Sequence, residues 1–187
     1  MRKLLIALPA LALLSSCGLF FAEVEIPNIS MTLANTAFDP ILIPGGTMAR
    51  EIDFDLGKDI TLITEKGVTF ELRLLAMSLV LTATSGLGDF GDIESITVTV
   101  LTPTGQTMPE EALLATYVKA PPPADQNPTS IAVVASSNVD LSPYLLAGSL
   151  KLRFQATSSA IGVIPAWTGD VGSEFYLRLR SEYLKLL

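Results

Sequence analysis

The sequence predicts an all-β fold, an antiparallel β-sandwich of the Ig-like or jelly-roll-like kind, with a closed β-barrel as the alternative. Three observations carry this. Stretches such as 51–56 and 150–156 alternate apolar with polar residues, the period of a half-buried strand. Turn signals such as Pro44-Gly45-Gly46 separate these stretches at short intervals. After residue 16 the chain is rich in Val, Ile, Leu and Thr, the residues that suit a pleated, half-covered surface.

The first residues stand apart from that fold. Arg2 and Lys3 make a positive start, Leu4 to Leu14 run almost wholly through Leu, Ile and Ala around Pro9, and Ser15 and Ser16 are small. This is the anatomy of a secretory signal. The apolar run, about 11 residues, falls short of the ~20 that span a bilayer. Leu14-Ser15-Ser16-Cys17 resembles the lipobox of bacterial lipoproteins: a Leu, two small residues and an obligatory Cys. The resemblance covers residues 1–17 alone. It implies cleavage before Cys17, a thioether-linked diacylglycerol on that residue with a further acyl chain on its amine, and a place in the bacterial cell envelope. Gly18, where Asp would retain a lipoprotein at the inner membrane, implies the outer membrane in a source that has one. Cys17 is the only cysteine, so no intramolecular disulfide can form. Acylation would use the thiol, and two or three acyl chains anchor stably where one does not. The alternative is an ordinary secretory signal that happens to contain a cysteine.

Three parts follow: a signal over 1–16, a short lipidated tether over 17–22, and one domain over 23–187. Losing Arg2 and Lys3 with the signal takes the formal charge from −7 to −9 (−7 − 2 = −9). An acidic, histidine-free surface argues against nucleic acid and against a basic membrane patch. Attachment to the membrane then rests on the lipid. The tether, Gly18 to Ala22, is too short to hold the domain far from the bilayer. Phe20 and Phe21 either meet the interface or pack under the first strand.

Taken in order, Val24, Ile26, Ile29, Met31 and Leu33 read as the core residues of an extended segment. Residues 38–43 form a second apolar piece, closed by Pro44-Gly45-Gly46. In 51–56, Ile52, Phe54 and Leu56 share one face and Asp53 and Asp55 the other. A turn at 57–59 leads into 60–64, and Glu65-Lys66-Gly67 turns again. Residues 68–84 hold the longest apolar run after the signal, with both faces apolar from Leu74 to Ala83. That predicts a central strand covered on both sides, or one reaching a contact surface. A glycine-rich acidic loop fills 85–92. Ile96, Val98 and Val100 then alternate with Thr97 and Thr99 in a clear strand. Thr107 with Glu110 resembles a capping box and predicts a short helix over 111–117. The proline-rich 120–128 reads as an exposed loop. Residues 131–135 make another strand, and Ser142-Pro143 starts a single helical turn that Gly148 stops. Leu150, Leu152, Phe154 and Ala156 alternate with Lys151, Arg153 and Gln155. A loop over 162–172 holds Trp167, and Phe175, Leu177 and Leu179 alternate with Tyr176, Arg178 and Arg180. The total is eight or nine strands, with little helix and no internal repeat.

Chemistry is constrained by what is missing. Without histidine, and with its one thiol acylated, the chain has no Ser-His-Asp or Cys-His machinery and no ordinary His/Cys zinc site. No pair of carboxylates is singled out for glycoside hydrolysis. No catalytic residue is expected, and no cofactor beyond the lipid. Asp89, Asp92 and Glu94 are the candidate metal ligands, hard oxygens suited to Ca²⁺, although their spacing is not that of an EF-hand. The alternative is a solvated turn. Trp167 either stacks on a sugar or protein partner or caps the core. Three functions follow from these residues: a non-enzymatic, membrane-anchored envelope lipoprotein that binds an envelope protein or glycan or plays a structural role; a carrier for a lipid or other apolar ligand; and a Ca²⁺-dependent or carbohydrate-binding adhesion module.

Overall fold

Strands form where the alternation is cleanest. β4 (Ile93–Val100), from Ile96 on, and β7 (Leu150–Ser158) bury every second side chain, as a strand with one covered face must. The other strands are β1 (Phe20–Phe38), β2 (Thr47–Phe54), β3 (Val68–Leu81), β5 (Ala112–Val118), β6 (Ser130–Ala135) and β8 (Trp167–Tyr183). These come from a computed structural model, which describes residues 20–54, 68–135, 138–147 and 150–183. The lipobox-like Leu14-Ser15-Ser16-Cys17, the expected strand over 60–64 and the stop at Gly148 lie outside the described residues, as do the side chains of Phe20 and Phe21.

The strands join in one antiparallel sheet of order β1-β8-β3-β6-β5-β4-β7-β2. Four pairings, β1/β8, β2/β7, β3/β6 and β4/β5, nest like the rungs of one long hairpin. Three more, β3/β8, β4/β7 and β5/β6, roll that hairpin on itself. This is the jelly-roll form of the sandwich. The sheet curls into a half-barrel, with β1 and β2 as its edges. Its two halves meet across the core, where Phe54 of β2 lies edge-on to Phe175 of β8 and Phe38 of β1 edge-on to Phe154 of β7. Interlocking aromatic edges of this kind are favourable beyond the area they bury.

Three segments differ from the expectations. Residues 111–117 carry β5 and not a helix, because pairing to both β4 and β6 overrides the weak helical preference of Ala-Leu-Leu. β8 starts at Trp167, five residues before the expected loop over 162–172 would end. β1 begins at Phe20, inside the expected tether, and runs to Phe38, and its Val24 and Ile26, expected in the core, are exposed. Its register to β8 shifts after Ile26 and after Leu33, and Asn28 and Asn35 take positive φ values of 59° and 54° beside those shifts. Asn tolerates that conformation better than most residues. With Pro27, which lacks a donor, these bulges make β1 a poor template for another strand.

β3 is central, between β8 and β6, but it is not covered on both faces. A register shift between Leu74 and Ala76 moves the inward face from Leu72 and Leu74 to Met77 and Leu79 and leaves Leu75 outward. Leu72, Leu74, Met77 and Leu79 are buried while Leu75 and Val80 are exposed. The one described helix, α1 (Ser142–Leu146), has Pro143 in its first turn. Asp140 prepares it: one carboxylate oxygen accepts the Ser142 and Leu72 N–H groups, and the other accepts the Ser142 hydroxyl. A single acid thus starts the helix and ties it to β3.

Because every pairing is antiparallel, the strands alternate in direction along the chain. The β1–β2, β3–β4, β5–β6 and β7–β8 connections gather at one end of the roll. The opposite end carries the start of β1 beside the end of β8, with Phe20 opposite Tyr183.

Candidate functional site

The end with four connections is a built surface. Residues 39–46 and 159–166 are joined by a two-way backbone bridge between Ile41 and Ile164, with both N···O distances 2.8 Å, and by Gly45 N–H donating to Ser159 O at 2.7 Å. The loop over 82–92 is tied to the 119–129 loop by Phe90 N–H to Pro128 O, 2.8 Å, and by the Lys119 ammonium to Gly91 O, 2.5 Å. It is tied to the 159–166 loop through Ser159, whose N–H donates to Asp92 O at 2.7 Å and whose hydroxyl donates to the Asp92 carboxylate at 3.2 Å. Two glycines permit this closeness. A Cβ on Gly162 would lie 2.5 Å from the Asp92 Cγ, and one on Gly91 2.5 Å from the Asn127 Oδ1.

Under these loops lies an aromatic plug. Trp167 stacks on Phe38 with ring centres 4.0 Å apart, and Phe90 meets Trp167 edge-on at 5.2 Å. Trp167 is only 3% exposed, so it caps the core and offers no face to a sugar or partner. Its indole N–H is buried with no hydrogen-bond partner, a cost set against the packing of the largest side chain. The buried neighbour Phe90 sits in the middle of the acidic loop and roots it. Nothing in the local pattern Gly88-Asp89-Phe90-Gly91 marked that Phe as core.

The three candidate metal ligands are not brought together. Asp89 accepts the N–H of Gly91 at 2.8 Å, a turn closed on itself. Asp92 is engaged by Ser159. Glu94 lies in β4, where its backbone carbonyl receives Lys119 N–H and its charge, after burial, helps raise the Tyr117 phenol above its ordinary value. Among the described residues no three carboxylates converge on one point.

At the opposite end, the outer face of β1-β8-β3 carries a ladder of charge. Arg178 stands between Glu25 of β1 and Glu71 of β3 in register. It binds the Glu23 carboxylate and reaches Glu25 at 3.6 Å and Glu71 at 3.8 Å, while Arg73 pairs with Glu71. The hydrogen bond to Glu23 raises the Arg178 guanidinium still further above neutrality, and that from Tyr176 to Glu25 raises the phenol. A shallow groove of about 330 Å³ runs beside the ladder, lined by Glu23, Thr69, Phe70, Glu71, Arg178 and Arg180. Glu23, Glu71 and Arg178 of its lining are paired with one another, which gives cross-strand support to the sheet edge.

No family model matches the chain, and no curated protein sequence matches it. Solved structures with some similarity include chains from Desmodium yellow mottle tymovirus and turnip yellow mosaic virus. The first is 11% identical over 98% of this chain and 99% of that one, with a TM-score of 0.32. The second is 12% identical over 99% of this chain and 90% of that one, with a TM-score of 0.27. Similarity at this level assigns neither family nor function.

Proposed function

We propose that the chain is a non-enzymatic lipoprotein of the bacterial cell envelope, anchored through acylated Cys17, whose jelly-roll presents its four-loop end to another envelope component. The observation that carries this reading is the start of β1 at Phe20. Only two residues, Gly18 and Leu19, separate the lipobox-like Cys17 from a strand paired along its length with β8. The three steps from Cys17 to Phe20 reach about 10 Å at most, so the acyl chains would hold the terminal end of the roll at the bilayer. β1 has 19 residues, and at roughly 3.3 Å each it carries the chain about 60 Å along its own path to the loop end. An anchor at one end and a hydrogen-bonded loop surface at the other suit a protein that reaches outward to a partner.

The carrier reading has less support, since the inward residues of β3 that motivated it are part of one buried cluster with Phe54, Phe154 and Phe175. The Ca²⁺ reading also has less, since Asp89 and Asp92 are engaged within their own loops.

The anchor is tested by fractionation. A Cys17→Ala variant is expected to leave the membrane fraction for the soluble fraction and to lose metabolic labelling by palmitate. If it stays membrane-bound after its signal is removed, the anchoring reading fails.

A further inference from the structure

The two bridged loops at the far end, 39–46 and 159–166, expose four aliphatic side chains together. Leu42 is 74% exposed, Ile43 72%, Ile161 91% and Val163 52%. Single exposed aliphatics are ordinary. These four differ because they flank one backbone bridge, Ile41 with Ile164, whose own side chains are buried at 3% and 1%. The Ser158 hydroxyl donates to Ile43 O at 3.4 Å and Gly45 N–H to Ser159 O at 2.7 Å, so both loops are held to strand ends. The loops therefore present these side chains from fixed positions, at little further entropic cost on binding.

Charge selects among occupants. Asp92, exposed, has its carboxylate against Gly162, the residue between Ile161 and Val163. The four loops also contain Asp39, Asp89 and Asp125 against a single cation, Lys119, which donates to Gly91 O, so the acids outnumber it four to one. An apolar tip with an acidic rim repels an anionic lipid surface. It repels a second copy of itself too, given the chain's formal charge of −7. It complements a protein surface that carries an apolar side chain beside lysine or arginine.

We propose that Leu42, Ile43, Ile161 and Val163, with Asp92 beside them, form the docking site for a basic, apolar protein segment of an envelope partner. The proposal rests on the anchoring reading for its orientation and names the kind of partner which that reading leaves open.

The test uses the intact lipoprotein in phosphatidylcholine nanodiscs and a fluorescent peptide of alternating leucine and lysine, read by anisotropy. The peptide is expected to bind, and its leucine–glutamate counterpart is not. An Ile161→Ser/Val163→Ser double variant is expected to weaken binding about tenfold, as loss of a central interface residue does. An independent Leu42→Ser/Ile43→Ser pair should do the same, and Asp92→Asn should weaken binding several-fold and flatten its salt dependence. Melting curves confirm that each variant folds. The proposal is overturned if both double variants bind like the parent, or if the leucine–glutamate peptide binds equally well. It is also overturned if the soluble Cys17→Ala chain shows Ile161-dependent binding to phosphatidylcholine or phosphatidylglycerol vesicles, or Ile161-dependent dimers in sedimentation. The two readings fail separately. A wrong anchor leaves Cys17→Ala in the membrane with peptide binding intact, and a wrong tip abolishes the peptide's dependence on Ile161 with membrane retention intact.

Discussion

At the scale of single residues, the most instructive is Trp167. Its position beside Pro165 and Gly169 suggested a loop, and its burial depends on Phe38 and Phe90, which lie far away in sequence. No local window contains those partners, so the pattern could not distinguish a core Trp from a displayed one. The structure predicts that native Trp167 fluorescence is blue-shifted and resists quenching by iodide. Trp167→Ala should cost about 3–5 kcal/mol in chemical denaturation, the usual loss for a buried aromatic. A loss below about 1 kcal/mol would place the ring outside the core. Asp140 teaches the same lesson from the polar side. Its neighbours Ser142 and Pro143 foretold the helical turn, but its bond to Leu72 N–H spans 68 residues and appears only when the sheet is assembled.

At the scale of elements, alternation located the strands well wherever one face is buried and the other wet, as in β4 and β7. It failed where bulges change the face. One register shift moves the inward positions of β3 from Leu72 and Leu74 to Met77 and Leu79, and two more interrupt the alternation of β1, whose Val24 and Ile26 are exposed where a core is expected. Helix signals at 107–117 lost to β5 because a strand between two partners gains a ladder on each side. The bulges have a measurable role at the edge. Replacing Pro27 and Asn28 together by valine and threonine would straighten the exposed side of β1 and restore a donor. Such a variant is expected to associate into larger species at high concentration, seen by light scattering or sedimentation, while the parent stays unassociated. Equal behaviour of the two would deny the bulges that protective role.

At the scale of the whole molecule, the fold class was legible, since short alternating runs between turns admit few architectures. The order of strands was not, because pairing partners in a rolled hairpin are the most distant pairs in the chain. Phe20 lies opposite Tyr183, and Thr47 opposite Thr157. Topologies dominated by such pairings fold slowly. Refolding followed through Trp167 should therefore take milliseconds to seconds or longer, and a microsecond phase carrying the full amplitude would contradict the assembly described. The same nesting bears on how the chain would fold after the proposed export. In the proposed export β1 would be the first strand to emerge on the far side of the membrane and β8 the last, yet β1 takes its partners from β8. The first strand would then stay unpaired until translocation was finished. Any acylation of Cys17 would then be completed on a chain that is not yet folded, and the roll would close only once its end had arrived beside its beginning.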